Sequence, residues 1–264
     1  MSTSSTSPPP LNERLYRTEA IILGRTDYGE ADRIFTVFTP NHGKLRVIGK
    51  GVRRPLSRLG PHLEYFDRSL LVLAKGRDLD VITGAETIDG HGGLGQSLDA
   101  FGHASHLVEM LNRLTQDRQE QRAAYDLLAS SLRLLADGVD PFPVTRHFEL
   151  ALLSTLGFRP ELYRCLVCNR DLLAEPNGFS SRLGGTVCST CALTDAGTRL
   201  LSINAQKFLR MLDRRGLSVA ARLPTDQRLR DELEGVLTDY IRQIAERDLS
   251  SLKVWRAIRD VPSS

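Results

Sequence analysis

The four cysteines, Cys165, Cys168, Cys188 and Cys191, fall in two Cys-x2-Cys turns separated by nineteen residues, with none left over. Each turn can present two sulfurs to one ion, and two turns complete the tetrahedral thiolate shell that zinc prefers. Such a shell is coordinatively closed. It leaves no position at which water is activated, so the chemistry expected is one structural Zn2+ stapling a fold. Pro176-Asn177-Gly178 and Gly184-Gly185 lie between the pairs and suit two short ribbons folded around an ion. Two disulfides would need an oxidising compartment, and residues 1–10 are rich in Ser, Thr and Pro with no basic region leading into an apolar run. Redox chemistry of the thioredoxin type wants one such motif at a strand-to-helix junction, whereas here there are two in a loop-rich stretch. A zinc deaminase would place His-x-Glu ahead of Pro-Cys-x-x-Cys. His147-Phe148-Glu149 does precede Cys165, but Arg164 stands at the proline position and Cys188 and Cys191 would have no work. His147 and Glu149 read more simply as part of an amphipathic helix with Phe148, Leu152, Leu153 and Leu156.

The second chemical feature is charge. The net charge is only +3, yet residues 1–85 hold 13 Lys/Arg against 9 Asp/Glu, leaving 22 against 23 in the remainder. From Arg33 to Leu63 there are seven basic residues, Arg33, Lys44, Arg46, Lys50, Arg53, Arg54 and Arg58, and no acid. Such a stretch attracts polyanions. In a strand of period two, Lys44, Arg46, Ile48 and Lys50 share one face and Leu45, Val47 and Gly49 the other. Three cations are thereby expected on one face, with Arg53, Arg54 and Arg58 continuing them into the following loop; a merely solvated strand face is the plainer reading of the same pattern.

The elements that position these cations read as a small antiparallel barrel. Residues 18–25, 32–39 and 43–50 are short, rich in Ile, Val, Phe and Thr, and bounded by Asp-Tyr-Gly-Glu and Pro-Asn-His-Gly turns. A break with Pro55, Gly60 and Pro61 follows, and then residues 65–75 and 79–87 are joined across Gly76-Arg77. Five strands in this span fit an OB-type barrel, which grips single strands with a basic groove and aromatic platforms. Phe35, Phe38, Tyr65 and Phe66 sit in apolar strand patterns and read as core; Tyr28, in a polar turn, is the stacking candidate.

Past residue 90 the pattern becomes helical. Leu98, Phe101, Leu107, Val108, Leu111 and Leu114 make one stripe, Leu127, Leu128, Leu132, Leu134 and Leu135 another, and both are expected in the core. Pro141-Phe142-Pro143 opens a third helix that runs to Gly157. Helical spacing resumes after Ser202 through Phe208, Leu209 and Leu212, and again through Leu229, Leu233, Val236, Leu237 and Ile241. The fold class expected is therefore α+β: a disordered tail at 1–10, an OB barrel at 11–90, and a helical domain at 91–264 with the cysteine knuckle inserted at about 160–198. With 41% hydrophobic and 25% charged residues and no apolar run near the roughly 20 residues of a membrane span, a cytoplasmic protein that does not enter membranes is expected.

Several motifs in one order carry a resemblance. Asp27-Tyr28-Gly29-Glu30-Ala31-Asp32-Arg33, His42-Gly43-Lys44, Lys50-Gly51-Val52-Arg53-Arg54 and Ser57-Arg58-Leu59-Gly60 resemble the amino-terminal barrel of the bacterial RecO family. His147-Phe148-Glu149-Leu150 through Leu156-Gly157-Phe158 to Cys165 is similar to that family's approach to its zinc knuckle, and Leu249-Ser250-Ser251-Leu252-Lys253 to its carboxy-terminal segment. The resemblance implies a recombination mediator of DNA repair, nucleoid-associated when acting on DNA. Such a protein binds single- and double-stranded DNA, anneals complementary strands, works with RecR, recognises the acidic carboxy-terminal tail of single-stranded DNA-binding protein, and helps RecA replace that protein. Zinc does not define the family, since some members lack one or more of the cysteines; here the set is full. Carried over by motif, the DNA-facing residues are Lys44, Arg46, Lys50, Arg53, Arg54 and Arg58, with Arg33 and Tyr28. For the acidic tail, the helical region offers Arg199, Lys207, Arg210, Arg214 and Arg215 near Phe208 and Leu212, although Arg214-Arg215 before Gly216 equally suits the favourable positive end of a helix.

The alternative class is a zinc-containing enzyme that processes nucleic acid, a nuclease or deaminase. No Gly-x4-Gly-Lys-Ser/Thr loop and no His-Glu-x-x-His occurs, and no catalytic residue is assigned. Asp78 and Asp80 alternate with Leu79 and Val81 and are expected on the solvent face of a strand. A transcription regulator reading DNA through the knuckle is disfavoured, because Arg170 and Arg182 are offset there by Asp171 and Glu175.

Overall fold

The computed structural model describes residues 14–194, 197–215 and 225–245. The tail at 1–10, Gly216 and the motif at 249–253 lie outside the described residues. The described residues form two compact units, one of those up to His91 with Thr115–Asp126, the other of Gly92–Leu114 with those from Leu127 on.

In the first unit, β1 (Leu15–Tyr28), β2 (Asp32–Thr39), β3 (Gly43–Gly49), β4 (Arg68–Ala74) and β5 (Asp80–Asp89) close a barrel in the order β1-β2-β3-β5-β4. Every pairing is antiparallel except β3 with β5, which is parallel at Val47–Asp80 and Ile48–Val81. Closure depends on β1. Its first half, Leu15 to Ile21, pairs with β4, and its second half, Ile21 to Tyr28, pairs with β2. The β2 register shifts between Ile22 and Gly24, so Leu23 is an extra residue that bends the strand where it changes partner. Alternate residues fill the barrel: Ala20, Ile22, Phe35, Val37, Leu45, Val47, Leu71, Leu73 and Ile82, with Val52 and Leu63 entering from the loop after β3. Burying each such aliphatic side chain contributes roughly 1.5–3 kcal/mol. This is the expected OB-type barrel.

Two local expectations need correction. The fourth strand starts at Arg68, not at residue 65, because Phe66 takes φ +71°, a left-handed conformation that no strand continues through. Tyr65 is consequently not core: it is 41% exposed, with the Arg25 guanidinium 5.1 Å over its ring. Asp80 is not on a solvent face either. It is buried, accepting from the Tyr16 hydroxyl at 2.7 Å and from the Gly76 amide at 3.1 Å.

Residues 115–126 belong to the barrel unit although the sequence placed them in the helical region. Gly43 explains how they fit. Its φ is +62°, and a Cβ there would lie 1.9 Å from the Gln119 carbonyl oxygen, so only glycine lets this segment run against the start of β3. The Arg118 amide donates to the Lys44 carbonyl at 2.9 Å, and Tyr125 stacks on Phe38 with ring centres 6.4 Å apart. The Tyr125 hydroxyl also reaches Glu19, which Arg68 holds at 2.7 Å.

The second unit contains α1 (Leu98–Leu114), α2 (Arg122–Ala136, its first turn belonging to the barrel unit), α3 (Pro141–Thr155), α4 (Ser189–Ala192), α5 (Ile203–Arg215) and α6 (Gln227–Ala245). Asp140 caps α3, its carboxylate accepting from the Phe142 amide, and Gly157 at φ +86° follows the last turn. Leu98 and Phe101 are exposed, contrary to expectation. The buried stripe of α1 opens instead with small and polar residues, Ala100, His103, Ala104 and His106, before Leu107 and Leu111. Those histidines face α3: His103 pairs with Thr145 at 2.6 Å and His106 with Glu149 at 2.7 Å. Phe142 of α3 meets Phe208 of α5 at 6.2 Å. A three-stranded sheet, β7 (Gly185–Val187), β6 (Asn177–Ser180) and β8 (Thr198–Leu201) in that order, interrupts the helices and adds one strand to the two ribbons expected around the cysteines. No helix among the described residues is long and apolar enough to cross a membrane.

Candidate nucleic-acid interface and four-cysteine centre

The β1–β2 turn, the end of β3 and the loop after β3 gather at one end of the barrel, because Tyr28 pairs with Asp32 and Arg33 with Gly49. The loop is fastened there. The Gly51 amide donates to the Asp32 carboxylate at 2.7 Å and the Arg53 amide to the Ala31 carbonyl at 3.0 Å. Tyr28, Lys50, Arg53, Arg54 and Arg58 are exposed at this end, and Arg46 is exposed on the wall of β3 beside Thr36. Arg33 and Arg53 are partly engaged: both reach Asp27, at 2.7 and 3.4 Å. The hydrogen bond from Arg33, with the charges of Arg53 and Arg25, holds the Asp27 carboxyl below the usual carboxylate range.

The expected row of three cations along β3 is corrected at Lys44. Its phase is as read, but its side chain is only 12% exposed, the ammonium donating to the Thr115 carbonyl at 2.8 Å and lying 3.4 Å from Asp117. Lys44 thus fastens residues 115–117 to the barrel, and the structure gathers Lys50, Arg53, Arg54 and Arg58 without it. Sequence spacing could not show this, because the partners lie about seventy residues away. Of the aromatics read as core, Phe35, Phe38 and Phe66 are buried.

The four Sγ atoms lie within 4.8 Å of one another, and among the described residues no histidine or carboxylate joins them. A Zn–S bond of about 2.3 Å places tetrahedral sulfurs about 3.8 Å apart. Cys168 and Cys188 stand 3.9 Å apart, so this donor set fits zinc. The first turn is closed by the Asn169 amide on the Cys165 carbonyl at 2.8 Å, with Asn169 at φ +59°. The second starts the short helix α4, where the Ala192 amide meets the Cys188 carbonyl at 2.9 Å. Glu161 braces the sheet beneath, exchanging backbone hydrogen bonds with Gly184 and Thr186.

The sulfurs titrate unequally. The Arg170 side chain and amide hold the Cys168 thiol down to about 6, whereas the hydrogen bond with Cys188, followed by burial, pushes Cys191 up to about 12. For Cys165 burial is the largest influence and acts upward, but the amides of Cys168, Cys188 and Val167 outweigh it and the thiol is lowered. Four close sulfurs without a cation cannot all ionise; a divalent ion removes that conflict.

The deaminase constellation is not formed. Glu149 is buried in a network with His106 and with Arg146 at 2.9 Å, while His147 lines a 280 Å³ groove with Leu150, Ala151 and Leu212, its burial depressing the imidazole pKa. Of the cations considered for an acidic tail, Lys207 and Arg215 are exposed and Arg199 pairs with Asp239. Arg210 and Arg214 lie over the Tyr163 ring at 5.2 and 4.6 Å. Phe208 is buried and offers no open pocket, whereas Leu212 reaches the groove.

Comparisons with known proteins agree across both units. The family described as Recombination protein O N terminal matches residues 14–91, and Recombination protein O C terminal matches residues 95–253. A DNA repair protein RecO of Roseiflexus sp. is 38% identical over 251 residues, spanning 95% of this chain and 88% of that protein. Those of Dehalococcoides mccartyi and Symbiobacterium thermophilum are 34% and 31% identical, over 91% and 93% of this chain and 94% and 98% of theirs. With both of its halves matched and relatives aligned over nearly their whole length, the chain belongs to the RecO family of DNA repair proteins, whose role is in recombination.

Proposed function

We propose that the chain is a non-catalytic recombination mediator that binds single- and double-stranded DNA without strong sequence preference and anneals complementary strands. The observation that carries this reading is the exposed cation set Arg46, Lys50, Arg54 and Arg58, next to an exposed Tyr28. Annealing requires that phosphate repulsion be lowered while base edges stay free, and backbone contacts by mobile cations do that. Tyr28 stacks on a base, Arg53 adds a phosphate contact when it leaves Asp27, and Arg33 shapes the turn. Zinc, held by Cys165, Cys168, Cys188 and Cys191, supplies cross-linking of the sheet to its flanking loops. RecR, the acidic tail of single-stranded DNA-binding protein, and RecA loading in the cytoplasm complete the reading; exposed Lys207 and Arg215 support an acidic partner at the helical unit.

The test is annealing of two complementary labelled oligonucleotides without nucleotide or added metal, comparing wild type with the combined charge reversal of Lys50, Arg54 and Arg58. Annealing that collapses in a folded variant supports the reading; undiminished annealing overturns the surface. Four phosphate contacts on a single strand predict a log–log salt slope of about −3, a loss of about fiftyfold in affinity between 50 and 200 mM. A flat salt response would remove the phosphate model.

A further inference from the structure

Leu56 is the most exposed large apolar side chain among the described residues, at 95%, and it sits in the middle of the basic loop. It is held there. Arg54, Pro55, Leu56 and Ser57 form a turn closed by the Ser57 amide on the Arg54 carbonyl at 2.9 Å, with Pro55 fixing φ at the position before Leu56. A second turn precedes it, the Arg54 amide meeting the Gly51 carbonyl at 3.1 Å. On the return side the Ser57 hydroxyl accepts from the amides of Leu59 and Gly60, both at 3.3 Å. Val52 and Leu63, one on each side, are buried in the barrel core. The loop therefore leaves and re-enters the core through anchored residues, and its two turns carry a leucine outward at the tip.

What surrounds the tip selects what it meets. Lys50, Arg53, Arg54 and Arg58 flank it in the chain and are all exposed, and Tyr28 stands on the turn to which the root of the loop is hydrogen-bonded. A purely apolar pocket on a protein would take the leucine but would desolvate these lysine and arginine cations without neutralising them. A nucleic acid satisfies both, because phosphates pair with the arginines and base faces offer an apolar slot. Apolar side chains inserted between base steps are an established way for proteins to unstack DNA.

We propose that Leu56 is a wedge that enters between adjacent bases while Arg54 and Arg58 hold the flanking phosphates. This rests on the DNA-binding reading above and adds what the cations alone do not supply, a means of separating stacked bases so that their edges are presented. The ligand class that follows is unpaired or easily unstacked DNA: single strands, mismatches and flexible pyrimidine–purine steps, where opening the stack costs least.

The experiment uses the full chain and a single-stranded oligonucleotide carrying 2-aminopurine, whose fluorescence rises when its neighbours unstack. At saturating protein the wild type raises the fluorescence, Leu56→Ala loses most of that rise, and Leu56→Phe retains it. The alanine variant keeps the wild-type salt slope, because no cation is removed, and binds more weakly. Leu56 is exposed, so both variants retain the unfolding midpoint. A full fluorescence rise with Leu56→Ala at saturation would overturn the wedge and leave Leu56 as a contact for another protein. Failure of the wild type to bind the oligonucleotide at low salt would overturn the DNA-binding reading itself, and is seen before any fluorescence is compared.

Discussion

Asp27 is an acid that two loop-end arginines share, and it sets how many cations that end offers. Arg33 at 2.7 Å and Arg53 at 3.4 Å each give up part of their charge to it. Asp27→Asn should therefore raise affinity for single-stranded DNA at pH 7 and steepen the salt slope toward one more phosphate, as read by fluorescence anisotropy. The pH response has a definite sign. The folded carboxyl lies below its ordinary value, so the pair is complete above the unfolded pKa of about 3.9 and is lost only as pH falls through the lower folded value. Acidifying from pH 7 to 5 should not release Arg53, and a rise in wild-type affinity over that interval, matched to Asp27→Asn, would contradict this assignment. Exposure of Arg46, Lys50, Arg54 and Arg58 was legible from strand phase and loop composition. The engagement of Arg53 by Asp27 was not, because it depends on a hairpin folding back across twenty-six residues.

Two motifs belong to the scale of elements, the clasp at Gly43 and Lys44 and the paired cysteine turns. His42-Gly43-Lys44 reads in the sequence as a turn leading into a basic strand, yet Gly43 and Lys44 together clasp residues 115–119. Gly43→Ala places a methyl against the Gln119 carbonyl and forces a left-handed alanine, so a loss of at least about 2 kcal/mol in urea unfolding is expected. A change under about 0.5 kcal/mol would mean the segment is not seated there. The cysteine element was legible almost whole, since two short local spacings suffice, but β8 was not, because it pairs with β6 only after the second turn. Cys165→Ser should weaken zinc at least about tenfold and destabilise the sheet and its helical unit before DNA contacts suffer. Selective loss of DNA binding at unchanged stability would contradict that order. The thiols give the pH sign: at pH 7 Cys168, near 6, is already largely thiolate, whereas Cys191, near 12, holds its proton. Loading zinc in weak buffer should thus release protons to an indicator dye, and affinity should fall as pH drops toward 6.

The whole chain is less simply divided than its composition suggests. Texture changes near residue 90, and the barrel and helical classes were legible there, because period-two and helical patterns differ within a few residues. The compact unit nevertheless takes in Thr115–Asp126, so the chain passes between units three times. That return was invisible because its contacts pair Phe38 with Tyr125, Lys44 with Thr115 and Glu19 with Tyr125, each between residues more than seventy apart. A fragment ending at residue 91 has every strand of the barrel but loses these partners. Uncovering Phe38 alone costs about 2 kcal/mol, and Lys44 loses the Thr115 carbonyl and Asp117 as partners. In a domain of this size, whose total stability is of the order of 5 kcal/mol, that is a large share. The fragment should unfold at markedly lower urea than the full chain, with Phe38 newly accessible. Extending it to residue 126 is not an equivalent repair, because residues 92–114, the connection to that strip, belong to the other unit. If the shorter fragment unfolded at the same denaturant concentration as the barrel in the intact protein, followed by a probe at Tyr65, the strip would be an ornament to the barrel and not part of it.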